Sequence, residues 1–220
     1  MAAVGLQLLL LNRWYNYNAY MKKGEKTRQH IIEQAAPIFN ERGIAGTTVD
    51  DVLAAASVAR GCLYNLFDDR EDLARQTVDH LLQLAADNIR ARLRSATTAK
   101  KKIYAYLDLH KAPLDFHVKG GCPILNIGVE VDDHHPVIRQ RVKEAVLEAQ
   151  QAFAGILKKG IQAGEWLPAL KADAFAFKMF AAMEGAIVLC RILETNKPMQ
   201  ALIKGFKEEL ASFEPGNTIK

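Results

Sequence analysis

Cysteine is scarce in this 220-residue chain: Cys62, Cys122 and Cys190 are far apart, odd in number and never form a CxxC pair. That excludes a disulfide framework and a thiolate zinc site, and it fits a reducing cytoplasm. Prolines number only seven, and strand-like alternation is hard to find, so the chain reads as all-α. The apolar run from Leu6 to Leu11 is far short of the roughly 20 residues that a spanning helix needs. It also lacks the basic stretch and small-residue cleavage site of a signal peptide, so no membrane partner is expected. Catalytic signatures are missing as well: there is no Ser-His-Asp order, phosphate-binding glycine loop or HExxH. We expect no enzyme and no cofactor. Asp132, Asp133, His134 and His135 form the one metal-like cluster, but adjacent residues in a turn point apart, and no metal is expected there.

What remains is an ordinary globular composition, half hydrophobic and a quarter charged, with a net charge of +4. Between Met21 and Arg75, however, eight basic residues face nine acidic ones. Any nucleic-acid binding in that stretch must depend on where the cations stand, because phosphate neutralisation is local. The denser basic run, Arg90 to Arg94 and Lys100 to Lys102, reads as a solvated helix end and loop.

The most informative stretch is Thr47 to Phe67, TTVDDVLAAASVARGCLYNLF. Thr48 is a good N-cap, Asp50 and Asp51 suit the first turn, and Val49, Val52, Leu53 and Ala56 recur at helical spacing. A break centred on Ser57 precedes a second short helix, beginning near Ala59, that leaves Arg60, Gly61, Tyr64 and Asn65 outside. Two short helices joined by a tight turn form a helix-turn-helix, whose second helix enters the DNA major groove. Arg60 can pair with guanine and Asn65 with adenine, Tyr64 offers a hydroxyl to phosphate, and Gly61 permits close approach. An ordinary helical hairpin in an all-α core is the plainer alternative.

On these residues the chain resembles the TetR/AcrR family of bacterial transcriptional regulators. Glu25 to Gly43 looks like the family's first helix, TTVDDVLAAA like its second, RGCLYNLF like its recognition helix and DDREDL like the entry to its fourth. Three positions depart from the pattern: Ser57 replaces the usual turn glycine, Ala59 a usual serine, and Cys62 a usual threonine or serine. The resemblance implies a DNA-binding set of Lys26, Thr47, Thr48, Arg60, Gly61, Cys62, Tyr64, Asn65 and Arg70, with Arg70 reaching a phosphate.

Along the chain, residues 1–20 read as a disordered extension ahead of a natural start at Met21. Residues 21–72 form the helix-turn-helix DNA-binding domain, and 73–220 a helical ligand-binding and dimerisation domain. The first helix runs from about Lys26 to Arg42, with Pro37 inside it, and the fourth from about Asp69 to Arg94. Ser95 to Ala99 is a loop, and Lys100 to about Val118 a helix interrupted at Pro113. Further helices follow from CPILNIGVEV, from Pro136 to about Gly160 or Gly164, from Ala172 to about Thr195, and from Pro198 to about Phe213. Tyr104, Tyr106, His110, Phe116 and His117 lie on the helices that line the family's ligand cavity, and Tyr104, His110, Phe116 and His117 are the effector-binding candidates. Ala181, Ala182, Gly185 and Ala186 allow close helix crossing, and with the final helix imply a two-fold homodimer. The partners expected are a double-stranded operator, a small-molecule effector and a second copy of the chain. Two rivals stay open: a regulator that activates or needs no small molecule, and a ligand-binding or interaction protein whose DNA motif has decayed.

Overall fold

The computed structural model describes residues 23–115 and 119–216. Among them every regular element is helical. Residues 1–20, Phe116 and His117 lie outside the described residues.

Helix α1 (Lys23–Arg42) buries Ile31, Ile32, Ala35, Ala36 and Phe39 along one stripe. Helix α2 (Val49–Ala56) begins with a capping box. The Thr48 hydroxyl accepts from the Asp51 amide at 3.1 Å, while the Asp51 carboxylate accepts from the Thr48 amide at 2.8 Å. It ends at Ser57, which adopts the left-handed conformation (φ 53°) so that the Val58 amide reaches the Leu53 carbonyl at 3.2 Å. This is the hydrogen-bond pattern of a glycine-type helix stop, formed here without glycine. Helix α3 (Arg60–Tyr64) starts after Ala59, which supplies no side-chain cap. Helix α4 (Arg70–Leu93) is capped by Asp69, whose side chain accepts from the Asp72 amide at 2.7 Å.

Helix α5 (Ala99–Leu109) corrects two expectations. It begins at Ala99, capped by Thr98, and it ends at Leu109, well short of the expected limit near Val118. His110 leaves the helical region, and Pro113 starts a short 3₁₀ turn (Pro113–Asp115) instead of interrupting a longer helix. The reason is local: proline disfavours helical geometry in the residue before it.

Helix α6 (Pro123–Val131) follows the Gly120–Gly121 pair, and helix α7 (Pro136–Gln162) starts on a proline that lacks only an amide the first turn does not use. Helix α8 (Ala172–Ile192) is shorter than the predicted span to Thr195, because Glu194 turns left-handed (φ 50°) and closes the same kind of stop as Ser57. Helix α9 (Lys197–Ser212) completes the chain of described elements.

The core falls into two clusters. One joins α5, α7, α8 and α9 around Ile103, Leu107, Leu157, Trp166, Met179, Met183 and Phe206. Gly160 belongs here for steric reasons, since a Cβ on it would lie 2.5 Å from the Trp166 ring. The other cluster packs α1 to α3 and the first half of α4 around Phe39, Leu63, Phe67 and Leu73. It also takes in Ile127 and Val131 of α6 and Ile138 and Val142 of α7. Each fully buried side chain of this size contributes about 1.5–3 kcal/mol. Helix α4 therefore enters one cluster with Leu73 to Leu82 and packs Ile89 and Leu93 against the other.

Candidate nucleic-acid interface and internal cavity

Short α3 exposes Arg60, Gly61 and Tyr64, the last half accessible, and buries Leu63 beneath them. A Cβ on Gly61 would meet nothing within 4 Å, so the glycine leaves a flat opening on this face. Asn65 follows α3 and is exposed, Cys62 is half-buried, and Lys26 is exposed on the first turn of α1. Arg60 donates from Nη2 to Asp50 Oδ1 at 2.5 Å, so the one cation of α3 is paired with a carboxylate of α2. Both groups are solvated, and such a pair is weak enough to open for another anion.

Two residues of the predicted set stand differently. Thr47 is buried, with 1% of its surface accessible, and its hydroxyl donates to the Gly43 carbonyl at 2.7 Å. It is corrected from a contact to a buried brace of the α1–α2 loop; Thr48, one residue on, takes the exposed N-cap position. Arg70 donates from Nη2 to the carbonyls of Ile44 at 2.7 Å and Thr47 at 3.0 Å, tying the start of α4 to that same loop.

The loop is held from a second side. The Glu130 carboxylate of α6 accepts from the Ile44 amide at 2.7 Å and the Ala45 amide at 2.6 Å. One turn earlier, Asn126 donates to the Gly120 carbonyl at 2.8 Å and the Asn40 carbonyl at 3.1 Å. Asn40, buried near the end of α1, donates to the carbonyls of Lys119 at 2.6 Å and Gly121 at 3.0 Å. Gly120 has φ 97°, and a Cβ on it would lie 2.3 Å from the Asn40 carbonyl oxygen, so both its conformation and its closeness to α1 require glycine. Asn40 falls on the buried stripe of α1, and a polar residue on an apolar face is the sequence signal that could have marked it.

The other end of α6 faces a cavity of about 390 Å³ between α4, α5, α7 and α8, a size suited to a small molecule. His110 lines it, with Tyr106, Cys122, Ile124, Phe153, Phe180, Glu184 and Ile187. Tyr104 does not. Residues 106 and 110 share one face of α5, whereas 104 lies about 200° round the helix from 106. Its hydroxyl instead donates to the Lys207 carbonyl at 3.5 Å, and the ammonium groups of Lys100 and Lys207 sit 5.6 and 5.1 Å from its ring centroid.

Inside the cavity the Tyr106 ring packs 4.2 Å from Phe153 and 4.6 Å from His110, centroid to centroid. His110 donates from Nδ1 to the Tyr106 carbonyl at 2.9 Å, since a carbonyl can only accept. Burial lowers the pKa of His110 and raises that of Tyr106. The Cys122 thiol donates to Glu184 Oε1 at 3.2 Å, and burial holds it well above the usual thiol range. Glu184 is the buried carboxylate of α8, and burial pushes its pKa up to about 7 against the opposing hydrogen bond from Cys122.

Along the outer surface of α8 and its C-cap, Phe177, Leu189, Ile192 and Leu193 are exposed, with Ala181 and Gly185 between them at helical spacing. They form an apolar outer strip. Among the described residues no helix is long and apolar enough to cross a membrane.

The family model for bacterial regulatory proteins of the tetR family matches residues 31–77. A second, the tetracyclin repressor-like C-terminal domain, matches residues 99–206. The HTH-type transcriptional repressor DhaR of a Mycobacterium species is 28% identical over 189 residues, covering 85% of this chain and 94% of that protein. The HTH-type transcriptional regulator TtgR of Pseudomonas putida is 28% identical over 173 residues, 76% of this chain and 80% of that one. The crystal structure of a TetR transcriptional regulator from Chloroflexus aurantiacus superposes with a TM-score of 0.82 at 33% identity, covering 87% of this chain and 97% of that one. A TetR-family regulator from Cytophaga hutchinsonii gives 0.81 at 30% identity, with 89% and 98% covered.

Proposed function

The chain belongs to the TetR family of bacterial regulatory proteins and is a DNA-binding transcriptional regulator, not an enzyme; from that premise we propose that it is a cytoplasmic repressor released from a palindromic operator by a small-molecule effector. Two copies join through the outer strip of α8 together with α9, setting two α3 helices into successive major grooves about 34 Å apart. Arg60 leaves Asp50 and reads a base edge, while Tyr64 and Lys26 touch phosphates. Arg70 acts as a positioning residue for the α1–α2 loop.

The observation that carries this reading is the placement of α6. Its N-cap, Cys122, lines the cavity, and Asn126 and Glu130 farther along it grip the end of α1 and the loop before α2. An effector that displaces the N-terminal turn of α6 thereby moves the unit that carries α3. Coupling of about 1–3 kcal/mol changes operator occupancy five- to a hundredfold.

Selection of bound duplex from a random pool, followed by titration of wild type and Arg60→Ala at several salt concentrations, tests the reading. A palindrome should emerge. Arg60→Ala should lose on the order of 1–3 kcal/mol per half-site and relax preference at one position, with a scrambled duplex little affected. An unchanged ratio of operator to scrambled binding would remove Arg60 from the base-reading role.

A further inference from the structure

We propose that the cavity takes a protonated amine carried on an apolar or aromatic body, with Glu184 as its anionic partner; this rests on the reading of the cavity as the effector site. Glu184 is nine-tenths buried. Its Oε1 accepts the Cys122 thiol hydrogen at 3.2 Å, whereas Oε2 has no hydrogen-bond partner. A buried carboxylate oxygen left unmatched is costly, and most such atoms in folded proteins are satisfied. Here the unmatched acceptor belongs to a residue that lines a cavity wide enough for a ligand.

The surroundings select the charge of that ligand. The thiol already donates into the carboxyl group, which favours its anionic, accepting form. Tyr106, Phe153 and Phe180 supply aromatic faces to the same cavity, and such faces attract a cation held near them. Ile124 and Ile187 leave the remaining wall apolar. A neutral, purely apolar ligand would fill the space and leave Oε2 unmatched.

Among the described residues, other ionisable groups also face this cavity. Burial keeps the Cys122 thiol and Tyr106 phenol protonated and lowers the pKa of His110. Arg92 of α4 stands at the cavity wall, and Arg191 lies farther along α8 beside Gly121. Helix α7 contributes only Ala149 and Phe153. Glu184, with its pKa pushed up to about 7 by burial, changes charge in this window. A cation needs the ionised form, so its affinity rises as pH rises through that value.

The test uses the full-length protein and two probes of nearly equal shape, naphthylmethylamine and its carbon isostere ethylnaphthalene, titrated at pH 6 and pH 8. At pH 8 the amine should bind at least about tenfold more tightly than the isostere, and its affinity should climb roughly tenfold from pH 6 to pH 8, as a carboxyl of pKa near 7 ionises. Glu184→Gln should remove both effects and leave isostere binding within about twofold. Equal binding of the two probes to wild type, or an amine preference that survives in Glu184→Gln, overturns the proposal while the cavity keeps its role. Failure of both probes to bind overturns the cavity reading and the proposal together. Should Glu184→Gln not fold, the wild-type profile decides, and a flat one overturns the proposal.

Discussion

Oε2 of Glu130 lies 2.7 Å from the backbone nitrogen of Ile44, across 86 positions of sequence. With Oε1 on the Ala45 amide, a side chain of α6 fixes the loop that turns the chain from α1 into α2. Glu130→Ala leaves two amides without their acceptor. It should cost about 1–3 kcal/mol and speed hydrogen exchange at Ile44 and Ala45. Unchanged protection of those amides would show that the loop holds itself.

Ser57 adopts φ 53° at the stop of α2, in the region where a side chain costs about 1–2 kcal/mol and glycine does not. Ser57→Gly should therefore stabilise the protein by about 1 kcal/mol, a rise of roughly 2–4 °C in Tm for a chain of this size. Thermal melts of the two proteins decide it, and a lower Tm in the variant contradicts the strain argument.

Gly185 faces outward on α8, and a Cβ placed on it meets nothing within 4 Å in the protomer. Gly185→Leu should leave the protomer folded, so any loss is one of association. Overpacking at a close crossing costs about 1–3 kcal/mol. Sedimentation at low micromolar concentration should show monomers of the variant and dimers of the wild type. A variant that stays dimeric places the interface elsewhere.

Glu184 also sets a pH dependence of stability. Its folded pKa is about 7, above the ordinary carboxylate value of 4.5. The folded state thus binds the proton more tightly than the unfolded chain does, and stability is lost as pH climbs from about 4.5 through 7, by on the order of 2–3 kcal/mol. In denaturant titrations, Glu184→Gln should gain stability relative to wild type between pH 5 and pH 8. Parallel curves for the two proteins would mean that the unfolded state shares the shift.

Much of this architecture is legible in the residues themselves, because its signals are local. Thr48 and Asp51 announce the capping box, Pro136 opens α7, and the apolar spacing of α1 places its buried stripe. Even the α5 stripe is there to be read: Ile103, Tyr106, Leu107 and His110 recur at three and four residues and are buried. Tyr104 lies off that stripe, and choosing it for its aromatic ring instead of its spacing misplaces it. The end of α5 is lost when Pro113 is taken for an interruption, although the residue ahead of a proline resists helix. Thr47 and Thr48 are alike in type, and only the fold distinguishes the buried hydroxyl from the exposed cap. Glu130 and Asn126 cannot be found by periodicity at all, since each bonds a distant backbone and leaves no repeating mark. Glu184 stands out as a charge in an apolar helix, but its partner Cys122 lies 62 positions away.

The apolar interior beneath α1 to α3 draws Ile127, Val131, Ile138 and Val142 from α6 and α7. The reading head is consequently not an interchangeable cartridge. A hybrid sensor that spliced residues 23–93 onto a foreign body would strip one wall from the head's interior and orphan the amides that Glu130 holds. A workable splice must transplant α6 and the start of α7 with the head. The natural unit of exchange is therefore discontinuous in sequence, and recombination between relatives at a single crossover after α4 should yield regulators that fold poorly before they misread anything.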